Sequence, residues 1–186
     1  GMDVKDVSLS SLREKIGVVP QKAVLFKGTL RENMLWGRED ATDEEIYQAL
    51  DIAQAREFVE DKGQGLELPI AQNGRNLSGG QRQRLTIARA LVREPQILIL
   101  DDSASALDYA TDARLRKAIR ENTGDTTVFL VSQRAASVKN ADQILVLDDG
   151  QIVDSGTHRD LLNRCQLYRE ICLSQLTKEE VERDAQ

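Results

Sequence analysis

Residues 77–108 read LSGGQRQRLTIARALVREPQILILDDSASALD, and the rest of the chain is organised around them. Ser78 is a good helix N-cap, and Gln81 stands three residues on, as a capping box requires. Gly79 and Gly80 put no side chain over the first turn. The N–H groups there, with the helix dipole behind them, form a site ready for an anion, above all a phosphate. The helix carries Leu85, Ala88, Leu91 and Val92 on one face and is stopped by Pro95. Arg82, Arg84, Arg89 and Arg93 read as a solvated helix face. Ile97 to Leu100 is a continuous apolar run of the kind found in strands buried on both faces. Asp101 and Asp102 follow at its C-terminal end, the edge where parallel α/β sheets bind ligands.

This order of parts closely resembles the ATP-binding-cassette (ABC) ATPase family. Leu77 to Gln81 is similar to the family's signature, Ile97 to Asp101 to its Walker B strand, and Ser105 to Asp108 to its D-loop. The resemblance implies an α/β fold. Its core would be P-loop NTPase-like (RecA-like), with an α-helical subdomain that carries the signature.

Composition agrees with one ordinary globular domain. The 186 residues are 40% hydrophobic and 30% charged, enough for a real core. No apolar run approaches the roughly 18 residues of a membrane span, and no signal peptide is visible. A net charge of −6 argues against nucleic acid as a partner. Cys165 and Cys172 are about 10 Å apart along a helix, too far for an undistorted disulfide. They read as buried thiols of a reducing compartment. His158 is read as structural.

Along the chain, Lys15 to Pro20 reads as a strand stopped by proline. Gln21 follows it, and a lone glutamine there is usually a turn residue. The resemblance makes it the Q-loop residue, reaching the magnesium ion and the attacking water. The run Val24 to Asn33 resembles the exporter branch of the family. Phe26 is either core or part of the surface that meets the transmembrane domain. Thr42 to Glu60 reads as one helix with a Thr42/Glu45 capping box. Gln72-Asn73-Gly74 stands where exporters usually carry Glu-x-Gly. A helix is expected over about 110–121 with Ala113, Ala118 and Ile119 inward, then a buried strand over 127–131. Asp149-Gly150 marks a hairpin between two short strands. Thr157 caps a short helix, Gln166 to Gln175 close the fold, and the charged tail from Thr177 is expected to fray.

The chain contains no Gly-Lys pair, so it has no P-loop of the form G-x-x-x-x-G-K-[ST]. The resemblance implies that this motif, one central strand and a helix lie upstream, and that an apolar groove in the sheet is left open. The division expected is a partial nucleotide-binding domain over 1–186. A helical subdomain spans about 28–95, the RecA-like core 1–27 and 96–176, and a flexible tail 177–186.

The family acts as head-to-tail pairs, with ATP held between the Walker motifs of one domain and the signature of the other. The resemblance therefore gives Asp101 and Gln21 to magnesium. It gives Asp102, Gln133 and Gln21 to catalysis, and Ser78, Gly79, Gly80, Gln81, Ser105 and Asp108 to ATP. Two positions depart from the pattern. Asp102 stands where the family usually has Glu, and its carboxylate falls on the order of 1 Å short. Gln133 stands where it usually has His, and a neutral amide cannot carry a proton. Both departures degrade the chain's own site, while its signature is intact. This resembles the degenerate subunit of a heterodimeric exporter, at the cytoplasmic face of the membrane, with a non-identical second nucleotide-binding domain and transmembrane domains as partners. Two other readings are a soluble family member acting on DNA or ribosomes and a module without catalysis.

Overall fold

Three parallel strands fix the site. In a computed structural model, which describes residues 3–185, β1 (Ile16–Val19) pairs in parallel with β4 (Ile97–Asp101), and β4 with β5 (Thr127–Val131). The registers Val19↔Leu100 and Asp101↔Val131 bring the C-terminal ends of all three strands to one edge. Gln21, Asp101 and Asp102 leave the sheet there. The chain divides into two units, one up to Val131 and one from Ser132, and this boundary falls inside the segment expected to be core.

In the first unit, α1 (Leu9–Glu14) precedes β1, and a two-residue ladder joins β2 (Gly28–Thr29) to β3 (Pro69–Ile70). Between them lie α2 (Leu30–Leu35), α3 (Asp43–Ile52) and α4 (Arg56–Asp61); α5 (Gly79–Leu91) and α6 (Tyr109–Asn122) flank β4 in sequence. Thr29/Glu32, Thr42/Glu45 and Ser78/Gln81 each form a complete capping box. Leu85, Ile87 and Ala88 of α5 pack with Leu30, Met34, Ile46, Leu50, Leu98 and Leu100 in one core.

Several expectations need correction. The single helix over 42–60 is broken between α3 and α4, where Gln54 adopts φ +57°. Arg84 Nη1 donates to the Gln54 carbonyl at 2.5 Å, so a tertiary bond holds the break. The arginines of α5 are not a solvated face. Each is partly buried and donates to a backbone carbonyl, because α5 is covered on more than one side. On α6 the inward residues are Thr111, Asp112, Leu115 and Ile119, while Ala113 is exposed. β4 buries Leu98 and Leu100, but Ile97 and Ile99 are half-buried. β5 is an edge strand with Phe129 and Val131 each 53% exposed. With Val18, which shares their face of the sheet, these residues leave that face open.

The second unit holds α7 (Ala135–Val138), the hairpin β6 (Ile144–Asp148) and β7 (Gln151–Gly156), then α8 (His158–Arg164), α9 (Gln166–Leu173) and α10 (Lys178–Asp184). The hairpin turns at Asp149-Gly150, both in the left-handed region. The tail expected to fray is α10. A Thr177/Glu180 capping box starts it and Val181, 1% exposed, anchors it in a core with Leu161, Leu162, Tyr168 and Cys172. Cys165 and Cys172 are free and buried.

Candidate functional site

The edge formed by the strand ends collects Gln21, Asp101 and Asp102. Pro20 ends β1, and two residues past Val19 the Gln21 amide Nε2 donates to Asp102 Oδ2 at 3.2 Å. Asp102 is held in the left-handed region at φ +44°. Its N–H donates to the Val131 carbonyl at 3.0 Å, and its own carbonyl accepts from Ser105 Oγ at 2.9 Å and the Ser105 N–H at 3.3 Å. Both backbone groups of Asp102 are therefore tied while its side chain faces the edge. Asp101 is exposed, and its carboxylate has no hydrogen bond or ion pair among the described residues. Two carboxylates and an amide, one of the carboxylates wholly unpaired, form a hard-oxygen set of the kind that binds a divalent cation with water filling the remaining positions. Among the described residues no group of three or more His, Cys, Asp or Glu forms a closed metal cage.

Asp108 is spent differently. Its carboxylate accepts from the Thr111 N–H at 2.9 Å, capping α6, and that bond holds it below the ordinary carboxylate range. Ser105 and Asp108 thus shape the turn between β4 and α6. Ser103, Ala104 and Leu107 are buried beneath it.

The start of α5 is a second element. Ser78 Oγ accepts from the Gln81 N–H at 3.2 Å, and Gln81 Oε1 accepts from the Ser78 N–H at 3.0 Å. These two donors are satisfied internally, which leaves the Gly79 and Gly80 N–H groups as the open donors of the first turn. The two glycines differ in what surrounds them. A Cβ on Gly80 would lie 3.2 Å from the Ala106 carbonyl, so packing within the chain accounts for that glycine. A Cβ on Gly79 would meet only the far end of Arg82, at 4.0 Å. Gly79 has ordinary helical φ, so neither its backbone nor its neighbours require glycine. The bare surface faces outward into open space.

Phe26 is not core. It is 44% exposed and stacks on Trp36 at 5.0 Å between ring centroids. The pair borders an open hollow of about 930 Å³ that also takes in Lys27, Arg38 and Arg93. Asn33, which sequence reasoning passed over, is 1% exposed and grips Phe26 from both sides: its Oδ1 accepts from the Phe26 N–H at 2.8 Å and its Nδ2 donates to the Phe26 carbonyl at 2.9 Å.

In the second unit Gln133 is exposed. Its turn is clamped by Gln175, whose Nε2 donates to the Gln133 carbonyl at 2.8 Å while its Oε1 accepts from the Ala135 N–H at 2.9 Å. Gln175 carried no sequence signal, because a lone polar residue after a helix looks like any surface residue. His158 is buried and its Nδ1 lies 2.8 Å from Tyr168 Oη, a structural role.

Residues 1–105 match the family model described as ABC transporter. An uncharacterized ABC transporter ATP-binding protein of Bacillus subtilis, YfiB, is 46% identical over 176 residues, covering 95% of this chain and 30% of that protein. A beta-(1-->2)glucan export ATP-binding/permease protein, NdvA, of Bradyrhizobium diazoefficiens is 44% identical over 183 residues, covering 98% of this chain and 30% of its own length. The solved structure of a bacterial Atm1-family ABC exporter with ATP bound superposes with a TM-score of 0.90 at 36% identity, covering 96% of this chain and 31% of that one. The chain thus spans about 30% of the length of the curated relatives it matches.

Proposed function

Because the chain belongs to the ABC transporter family, we propose that it is part of the nucleotide-binding domain of an exporter, where it couples ATP binding and hydrolysis at a domain-dimer interface to transport. The observation that carries this is Gly79, whose missing side chain is explained by nothing inside the chain. A phosphate borne by a second nucleotide-binding domain accounts for it. The open N–H groups of Gly79 and Gly80, with Ser78 and Gln81, would hold the γ-phosphate and stabilise the charge that grows on it during transfer.

The chain's own strand edge would serve a second ATP. Asp101 would hold magnesium, largely through water, with the Gln21 amide oxygen beside it. When bound, that ion neutralises phosphate charge. Asp102 would polarise the attacking water, with a reach one methylene shorter than Glu allows, and Gln133 would hydrogen-bond the γ-phosphate without accepting a proton. Ser105 and Asp108 would line the nucleotide through the turn they shape. The Phe26–Trp36 surface would meet the transmembrane domain. Among the described residues no helix is long and apolar enough to cross a membrane, so the place we infer, the cytoplasmic face, is reached through those partners. Residues 28–95 would form the helical subdomain.

The intact signature beside a weakened water-polarising set points to a non-identical partner that supplies a P-loop, a catalytic Glu and a His. Ser78→Arg and Asp102→Asn, made separately in the assembled transporter, test this. Ser78→Arg should all but abolish ATP turnover, and Asp102→Asn should do far less. If Asp102→Asn is the more damaging, the asymmetric reading is wrong and this chain carries a working site of its own.

A further inference from the structure

Arg89 lies in the middle of α5, well away from the helix start. Its Nη2 donates to the Val24 carbonyl at 2.9 Å, and its guanidinium carbon lies 5.6 Å from the centroid of the Phe26 ring. Its Nη1 is buried without a hydrogen-bond partner among the described residues. Among the described residues no carboxylate pairs with it, and burial pulls its pKa down. A buried cation with an unmatched donor is an expensive way to fill space; methionine or leucine would pack α5 at lower cost. What arginine adds is reach to a loop carbonyl and a flat cationic face for an aromatic ring. At the backbone of the same residue, a Cβ on Gly37 would run into the Arg89 carbonyl, so α5 also abuts the chain immediately after Trp36.

The loop that Arg89 grips runs on from Gln21. Its first end is fixed by the Gln21–Asp102 hydrogen bond and its far end by Asn33 and Arg89. We propose that Arg89 is a positioning residue that locks the Gln21 loop, and the Phe26–Trp36 pair above it, to the helix whose first turn carries Ser78 to Gln81. A displacement of the aromatic pair is then felt by α5 through a side chain, as well as by Gln21 through the loop. The two nucleotide sites to which this chain contributes are thereby joined inside one chain. This inference rests on the nucleotide-binding reading given above.

A double-mutant cycle tests it in the complete transporter, reconstituted in lipid with its partner subunit and with ATP as the probe. Gln21→Ala, Arg89→Met and the pair are compared by kcat and KM for ATP. Arg89→Met should lower kcat by about tenfold and leave KM within about twofold, since Arg89 touches no nucleotide. The double variant should turn over within about twofold of the slower single variant, because both changes release the same loop. Multiplicative losses would overturn the proposal, as would a rise in KM in step with the fall in kcat, the pattern of a general packing defect. If Arg89→Met does not assemble, Arg89→Lys, which keeps the charge and a donor, is put through the same cycle and judged by the same two criteria. A Gln21→Ala variant with unchanged turnover would remove the nucleotide-site reading itself. Additivity with an impaired Gln21→Ala would remove the role of Arg89 alone.

Discussion

Gln21 Nε2 donates to Asp102 Oδ2 at 3.2 Å across 81 residues of sequence. The bond joins the loop after β1 to the end of β4, and parallel pairing of those strands is what makes it possible. It also sets the resting orientation of the carboxylate proposed to act on water, and leaves the single oxygen of the Gln21 amide, Oε1, open.

Restoring reach and basicity should raise hydrolysis at the chain's own site. Asp102→Glu lengthens the side chain by one methylene, and Gln133→His supplies a group that can exchange a proton. The double variant, made in the assembled transporter with the partner's site disabled, should hydrolyse ATP faster than the parent by about tenfold or more. An unchanged single-site rate would remove the reason for regarding the site as weakened.

The two signature glycines should separate folding from function. Gly80→Val forces a branched side chain against the Ala106 carbonyl and should cost about 1–3 kcal/mol of stability. Gly79→Val projects into open space, should change stability by about 0.5 kcal/mol or less, and should still abolish turnover at the partner's site. Urea unfolding and ATP hydrolysis measured on the same two variants check both halves.

The packing of α10 should weaken in acid. Burial lowers the pKa of His158, and Asp184 opposes this only in part. Nε2 faces Asp184 Oδ2 at 3.5 Å, Tyr168 holds Nδ1, and Lys139 also pairs with Asp184. A histidine whose folded pKa is depressed takes up its proton first in the unfolded chain. Its contribution is therefore full at neutral pH and is lost as pH falls below about 6.5. Protection of the α10 amides, corrected for their slower intrinsic exchange in acid, should fall from pH 7 to pH 5.5, and His158→Gln should flatten that dependence.

The 186-residue chain by itself should turn over ATP negligibly. It contains no Gly-Lys pair and so no P-loop to cradle the β- and γ-phosphates. Purified material hydrolysing ATP at an ordinary enzyme rate of about 1 per second or more would contradict this.

What could be read in the sequence was local. Ser78/Gln81, Thr42/Glu45 and Thr157/Asp160 announce their helices through side chains three residues apart, and each forms the box it advertises. Thr177/Glu180 carries the same signal, but the charge around it suggested a frayed tail; one buried residue, Val181, decides the outcome. The break at Gln54 was not legible, since the bond that holds it comes from Arg84, thirty residues away. Nor was the burial of the α5 arginines, because charge alone does not reveal that a guanidinium has found a carbonyl. At the strand edge, Gln21 and Asp102 could be named separately, but their hydrogen bond depends on a register that only the fold supplies. That the bareness of Gly79 has no internal cause, unlike that of Gly80, follows only from knowing what surrounds each.

The exposed strand β5 has a practical consequence. Thr127-Val128-Phe129-Leu130-Val131 is uncharged, free of proline and glycine, and rich in β-branched residues, with an unpaired edge among the described residues. Such a segment is a template for adding strands from other molecules. In concentrated preparations of the isolated chain, self-association through this edge competes with the native pairing. A lysine at Val131, which lies on the face of the strand away from the packed core, is the change most suited to keeping the material dispersed for measurement.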